Sequence, residues 1–447
     1  MTGLVATACS NSGSGDEPAG MPPTVFAHYM LQFPLSLDNL PATKDYYATQ
    51  WLTIGGEENK HVTSGGYLRD RPLPVTPGVD FLTDNYVREF DQARAAGVTG
   101  FMVDLQTITG NEWQRFQTML TAADGHGFRI IPTVDAVGSL VDSTPEALAE
   151  VLAPVFRHPC VSPEGEDVLL SSFAAEKCPV AWWTGLRSAL AARIGREVTF
   201  HAVLLEASTD NITAFAPIAS AIGSWGGRTP EAAAATTVTA THVRQLGRRW
   251  IAPVAAQDVR PRNGLYAEAC NTETFRAAWA AAHASSAEFV QLITWNDYSE
   301  STHLAPSVNH SETWTRLNRI LLDSHRTSTQ AVVDQVFLTY RVQAVAAQTR
   351  VRSTAMSPSL GGAHREPRDS VEVLTLLAAP SAVMVTQSDR VARYTAPQGL
   401  SARLVELREG TIDVSLKDGC VLRSHQRIVA RPSVQDLSYH GDWLECR

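Results

Sequence analysis

The sequence predicts a (β/α)8 barrel of the TIM type followed by a small all-β sandwich, and three observations predict it. β-prone runs recur near residues 25, 100, 130, 169, 201, 222, 252 and 291, each followed by a helical or loop stretch, which is the arithmetic of eight βα units. Helix-start signatures repeat between them: Thr144-Pro145-Glu146 and Thr229-Pro230-Glu231 each supply an N-cap hydroxyl, a first-position proline and an early acid. Beyond about residue 330 helical spacing vanishes, and short apolar or alternating runs separated by Pro, Gly and Asp take over. An open doubly wound sheet is the alternative, but no glycine-rich nucleotide fingerprint follows any run.

Taken in order, residues 24–30 form the first strand and 31–79 one long loop, a length usually reserved for function. Asp84 caps a helix whose Val87, Phe90 and Ala93 keep helical spacing up to Gly97. Strands follow at 99–104, 128–135, 167–173, 198–205, 219–225, 250–256 and 289–295. Helices at 111–124, 144–157, 183–194, 211–216, 229–246, 272–282 and 312–322 separate or close them. Six further runs, 336–342, 371–377, 382–386, 402–407, 412–416 and 426–430, read as sandwich strands. The chain thus divides into residues 1–22, a flexible tether, 23–328, the barrel, and 329–447, the sandwich.

Composition narrows the partners. The 447 residues carry a net charge of −9 with no basic run, which disfavours nucleic acid and suits a neutral substrate. Ten Trp favour some sugar stacking, with core packing as the use of most. No run approaches the roughly 20 apolar residues that span a bilayer. Residues 4–9, small and ending in Cys9 before a Ser/Gly stretch, match a bacterial lipoprotein cleavage site, although only eight residues precede Cys9. Export and lipidation at Cys9 are therefore expected, with membrane association only through that anchor. Export permits Cys160 with Cys178 and Cys420 with Cys446, leaving Cys270 free. No spacing suggests a zinc site, and no metal or cofactor is expected.

Reactive groups in such a barrel sit at the C-terminal ends of strands. His28, Asp104, Asp135, Glu206, Trp225 and the run from Trp295 through Asn296, Asp297, Tyr298 and Glu300 occupy those ends, with His303 close behind. Acids and aromatics without a cofactor loop fit glycoside hydrolysis, which needs one protonated carboxyl and a second as base or nucleophile. Asp297 and Glu300 are the sharpest pair, provided the chain leaves β geometry so that both face one substrate. Asp104 and Asp135 bind sugar hydroxyls, orient the acids, or hold backbone. His28 reaches a sugar or sits satisfied in the core; Trp225 and Trp295 stack on sugars or pack. Glu176 is a spare acid. A serine hydrolase is disfavoured, because no G-x-S-x-G elbow follows a strand.

The runs 25–30 and 293–301 resemble the first-strand and last-strand motifs of glycoside hydrolase family 71, the α-1,3-glucanases, over roughly residues 24–325. The resemblance implies a barrel with an accessory β-sandwich and endo-type, inverting hydrolysis of an α-glucan, with Asp297 and Glu300 as catalytic pair. Similarity to the endo-α-mannosidase group implies Asp297 as base and Glu300 as acid. Ser299, Gly226-Gly227 and Glu206 depart from the family pattern, which bears on linkage and chain length more than on reaction type. A related α-mannosidase or α-glucanase, and a non-catalytic glycan-binding lipoprotein, are the rival readings.

Overall fold

A computed structural model describes residues 23–161, 168–324, 333–351, 353–359, 365–417 and 419–446. Cys9 and the tether lie outside them, as do Asp167 and the expected junction near 329.

Eight parallel strands close a barrel: β1 (Thr24–Met30), β2 (Gly100–Leu105), β3 (Arg129–Asp135), β4 (Val168–Phe173), β5 (Val198–Leu204), β6 (Ala221–Ser224), β7 (Arg249–Val254) and β10 (Phe289–Leu292). Closure comes from Thr24–Ala27 of β1 pairing with Phe289–Leu292 of β10. A short hairpin, β8 (Val259–Arg260) and β9 (Leu265–Tyr266), follows β7 over the barrel mouth.

Strand alternation explains what fills the barrel. One face of the strands, at Phe26, Met102, Ile131, Leu169, Val203, Ala221 and Ile251, forms a compact apolar plug with Phe289 against it. The other face, at Ala27, Phe101, Ile130, Leu170, Phe200, Ile222, Ala252 and Val290, meets the surrounding helices in the main core. Two residues further along the plug face, His28, Asp104, Thr133, Ser171 and Gln291 replace apolar side chains, and all are buried. A barrel whose inner layers turn polar toward the C-terminal end is built to hold something there.

Helices fall close to expectation, with boundaries moved by capping. The first, Phe81–Ala95, begins at Asp80, so Asp84 lies inside its first turn rather than at its cap. Thr144 and Thr229 do cap, accepting from the N–H of Ala147 and Ala232. The expected 229–246 helix divides into Pro230–Ala234 and Thr236–Gln245. Within the long loop, one π-helical turn at Tyr47–Trp51 packs its aromatics with Phe33, Tyr67 and Tyr298. No helix among the described residues is long and apolar enough to cross a membrane.

The sandwich has two four-stranded antiparallel sheets. One runs β15 (Gly399–Glu406), β12 (Ser370–Leu377), β11 (Gln335–Tyr340), β18 (His440–Glu445); the other runs β14 (Arg390–Ala396), β13 (Ser381–Gln387), β16 (Ile412–Leu416), β17 (Val421–Arg423). The expected strand at 426–430 is not one; Ile428 makes a single bridge to Gly410. The first sheet is covered on both faces. Val336, Leu338, Val371 and Val373 meet the second sheet, whereas Phe337, Leu374 and Tyr439 join the barrel core.

Cys420 and Cys446 are disulfide-bonded, as expected, and Cys270 is free. Cys160 and Cys178 are not paired but free and buried. Strand β4 runs between them, so one cysteine lies at each end of the barrel: the Cys160 carbonyl accepts from Ile130 at the base, and Cys178 closes the turn after β4.

Candidate active site

Strand β10 stops at Leu292, earlier than its apolar run suggests, and the chain then turns across the barrel mouth. That turn brings Asp297 and Glu300 to one place. Asp297 Oδ1 accepts from the Ser299 N–H (2.9 Å), the Ser299 hydroxyl (2.8 Å) and the Glu300 N–H (3.2 Å). Burial nevertheless holds its carboxyl above the usual range, with the nearby Asp258 adding to the effect. Glu300 is pushed up to about 8 by burial, then by Asp297 and Asp258, against the opposing pull of Arg260 and Arg228. Its carboxylate sits 2.8 Å from Arg260 Nη1 and is a quarter exposed, so it meets both protein and cleft.

Asp104 and Asp135 stand at the ends of β2 and β3. Burial and the Asp135 charge raise the Asp104 carboxyl well above its ordinary value, and its Oδ1 has no hydrogen-bond partner. Gln106 donates to the other oxygen at 2.8 Å. Asp135 is likewise raised by burial, while accepting from the Val137 N–H at 2.7 Å. His28 Nε2 lies 3.6 Å from Asp104 Oδ1, and Gln291 Nε2 stands 3.3 Å from His28 Nδ1. Burial lowers His28 to about 3, so the ring is neutral and Nε2 is its N–H when Nδ1 accepts from Gln291. Trp225 is half-buried and packs edge-on against His28 (4.9 Å) and Phe173 (4.6 Å). Gly226 next to it has φ +71°, and a Cβ there would lie 2.6 Å from Pro253 Cγ, which gives the Gly-Gly pair a backbone reason.

Four expected contacts turn out to be supports. Trp295 is fully buried against Phe101, its Nε1 donating to Glu89, so it is a core residue and not a stacking platform. The Asn296 amide accepts from the Met30 N–H (2.8 Å) and donates to the Met30 and Phe33 carbonyls (both 2.9 Å). Tyr298 is buried among Phe33, Tyr47 and His303, and His303 Nε2 bonds Asp70 at 2.8 Å. Glu206 is exposed, and Glu176 spends both oxygens on the N–H groups of Leu205 and Glu206, which removes the spare acid.

The sequence profile of Glycosyl hydrolase family 71 matches residues 75–435. The chain belongs to that family. No curated protein sequence matches it. Among solved structures, the GH99 endo-alpha-mannosidase from Bacteroides thetaiotaomicron superposes with a TM-score of 0.51 at 13% identity, over 69% of this chain and 98% of that one. A second structure of a Bacteroides endo-alpha-mannosidase, with bis-tris-propane bound, gives 0.49 at 12% identity over 68% and 97%. At such identity the likeness is one of fold.

In this family 71 glycosidase the candidate site also holds residues that strand-end reasoning missed. Asp258 accepts from Arg260 Nε (2.8 Å) and Nη2 (2.7 Å) and lies 3.4 Å from Arg228 Nε. Arg228 in turn donates to the Trp225 carbonyl at 2.7 Å, linking the aromatic platform to the acids. Burial raises the phenol of Tyr67 on the long loop, Arg262 over its ring at 4.7 Å opposes that, and the Asp297 charge adds to it. Asp258 was within reach of the sequence, since it lies four residues past the seventh strand and that strand supplied no candidate. Arg228 comes from a loop and Arg260 from the two-residue strand β8, too short for periodicity or spacing to point to it.

Proposed function

We propose that this glycosidase cleaves α-1,3-glucan internally with inversion, Asp297 activating water as general base and Glu300 protonating the leaving oxygen. One observation carries the reading: two acids three residues apart share the mouth, Asp297 buried and Glu300 a quarter exposed, and their surroundings differ. Asp297, raised by burial, receives three hydrogen bonds on one oxygen that pull it back toward its ionised form, while Glu300 is pushed up to about 8, which favours its protonated form. His28, Asp104, Asp135 and Trp225 stand around that pair as polar and aromatic groups able to hold sugar rings. The solved endo-alpha-mannosidase, similar in fold, makes an α-mannoside the second substrate class to try.

The test is a panel of α-1,3-glucan, α-1,4-glucan and α-mannan, with the wild type, Asp297→Asn and Glu300→Gln. Reducing ends released from α-1,3-glucan by the wild type, falling about 10²–10⁴-fold in each variant, are expected. Equal release by all three proteins overturns the catalytic pair, and a product of retained anomeric configuration on early NMR overturns inversion. The same reading takes residues 1–22 as an export segment lipidated at Cys9. Labelling with a fatty-acid analogue that marks Cys9→Ser as strongly as the wild type would end that part.

A further inference from the structure

Beneath the mouth, a residue of the long loop meets two that follow β10. Asp70 comes from the long loop, and His303 and His310 from the segment after β10; their exposures are 3%, 1% and 1%. One ligand-capable atom from each lies within 4.8 Å of the others. Asp70 Oδ1 is engaged by the N–H groups of Arg71 (2.7 Å) and Asn309 (3.0 Å), which aims Oδ2 at His303 Nε2, 2.8 Å away. The two imidazoles stack with centroids 4.8 Å apart. No hydrogen bond of good geometry reaches either nitrogen of His310 or His303 Nδ1, the Ser311 backbone making only a weaker contact with the His310 ring. Interiors leave few such atoms without an ion or an ordered water beside them.

We propose that Asp70, His303 and His310 bind one divalent transition-metal ion of the zinc class through a carboxylate oxygen and two imidazole nitrogens. The donor set selects the class: two imidazoles with one carboxylate suit borderline cations, whereas magnesium and calcium favour oxygen alone. Tetrahedral bonds of about 2.0–2.2 Å set donor atoms roughly 3.4 Å apart, so Asp70 Oδ2 and His303 Nε2 open from 2.8 Å while the His310 nitrogen moves to meet the ion, shifts that side-chain rotation supplies. Protons balance. The ion takes the His303 Nε2 lone pair, and the proton shared there with Asp70 moves to Nδ1, which has no bond to lose. His310 contributes a lone pair that has no competing donor, and water completes the shell.

Such an ion would pin the long loop, which carries Tyr67, to the segment that begins at Asp297. Tyr298 already stacks on His303 at 4.1 Å. The inference is independent of the substrate reading, because it is measured without substrate.

Asp124, His158 and Cys160 are a second cluster among the described residues. There the groups satisfy one another: His158 Nδ1 lies 3.0 Å from Asp124, and the Cys160 thiol donates to the Leu120 carbonyl. That makes His158→Gln a control. The experiment is elemental analysis of dialysed full-length wild type, His310→Gln and His158→Gln, followed by Zn²⁺ titration of chelator-treated wild type. Expected are about one equivalent of metal in the wild type and His158→Gln, near none in His310→Gln, and a Tm rise of roughly 2–4 °C when Zn²⁺ is restored. Should His310→Gln fail to fold, Co²⁺ loaded into the wild type must show the visible absorption of nitrogen ligation. Metal-free wild type that neither binds nor is stabilised by Zn²⁺, Mn²⁺ or Co²⁺ overturns the proposal and leaves ordered water as the occupant. Loss of metal in His158→Gln alone overturns it in favour of the second cluster.

Discussion

At the seam between barrel and sandwich, the Arg341 and Glu268 side chains are 1% and 0% exposed and meet at 2.9 Å. Tyr439 Oη (2.7 Å) and the Cys270 N–H (2.9 Å) complete the carboxylate, and Glu268 stays below the usual range although its burial alone would raise it. At the mouth, Asp104, Asp135, Asp297 and Glu300 are raised, burial being the largest cause in each. Burial pushes the acids upward in both regions, from the fully buried Glu268 to the quarter-exposed Glu300, so it does not by itself separate them. What separates them is how far the charge has been answered: the seam's acid is met by a guanidinium and by three donors, the Arg368 N–H (3.2 Å) being the third, while at the mouth Arg260 and the donors to Asp297 face acids that also lie beside one another. Structure resolves its buried charges, and a site keeps some of them unresolved.

The sharpest way to break the contrast is at the seam. Glu268→Gln leaves Arg341 buried without a counter-charge, and a loss of about 3–5 kcal/mol in unfolding free energy is expected from denaturant titration. A loss below 1 kcal/mol would mean the seam is not held by that pair. Asn296→Ala tests whether a residue next to the acids can belong to the seam's kind of chemistry. Freeing three buried backbone groups is expected to cost about 2–4 kcal/mol, and a fully stable variant with weakened substrate binding would return Asn296 to the substrate's side.

Two smaller effects probe the mouth by pH. Glu300 has a folded-state value of about 8 against 4.5 unfolded. Its ionisation therefore favours the unfolded chain, so stability present below 4.5 is progressively lost as pH rises to about 8. Glu300→Gln should accordingly melt higher than the wild type at pH 8 and gain less at pH 5; parallel melting curves across that range would contradict this. Arg260 pulls Glu300 downward, and Arg260→Gln should shift the alkaline limb of kcat/KM upward, by up to about one pH unit if the cleft screens the charge. An unmoved limb would make Arg260 a prop for Asp258 alone.

The barrel was legible because its strands are apolar runs with turn chemistry between them, and burial on both faces of a parallel sheet demands such runs. The three unforeseen sandwich strands show the converse. β14 breaks its apolar residues with Arg390, Arg393 and Thr395 and leaves Val391 exposed, β17 is three residues long, and β18 is interrupted by Gly441 and Asp442. At the site, residue type identified the acids but not the orientation of their neighbours. Trp295, Asn296, Tyr298 and His303 share a stretch with Asp297 and Glu300, yet the turn after Leu292 points them into the protein. Asp70 and His303 are 233 residues apart, a separation no local pattern bridges.

The middle sheet, covered on both faces, also governs the order in which the chain becomes a protein. Barrel closure must wait for Phe289–Leu292 to reach Thr24–Ala27, and the barrel's flank near Phe275 and Trp314 shares one core with Phe337, Leu374 and Tyr439. A growing chain released at residue 330 would therefore present a wet apolar flank and a long-range barrel closure at once, the combination that invites aggregation. Synthesis has to run past the closing strand as far as β18 before that flank is covered.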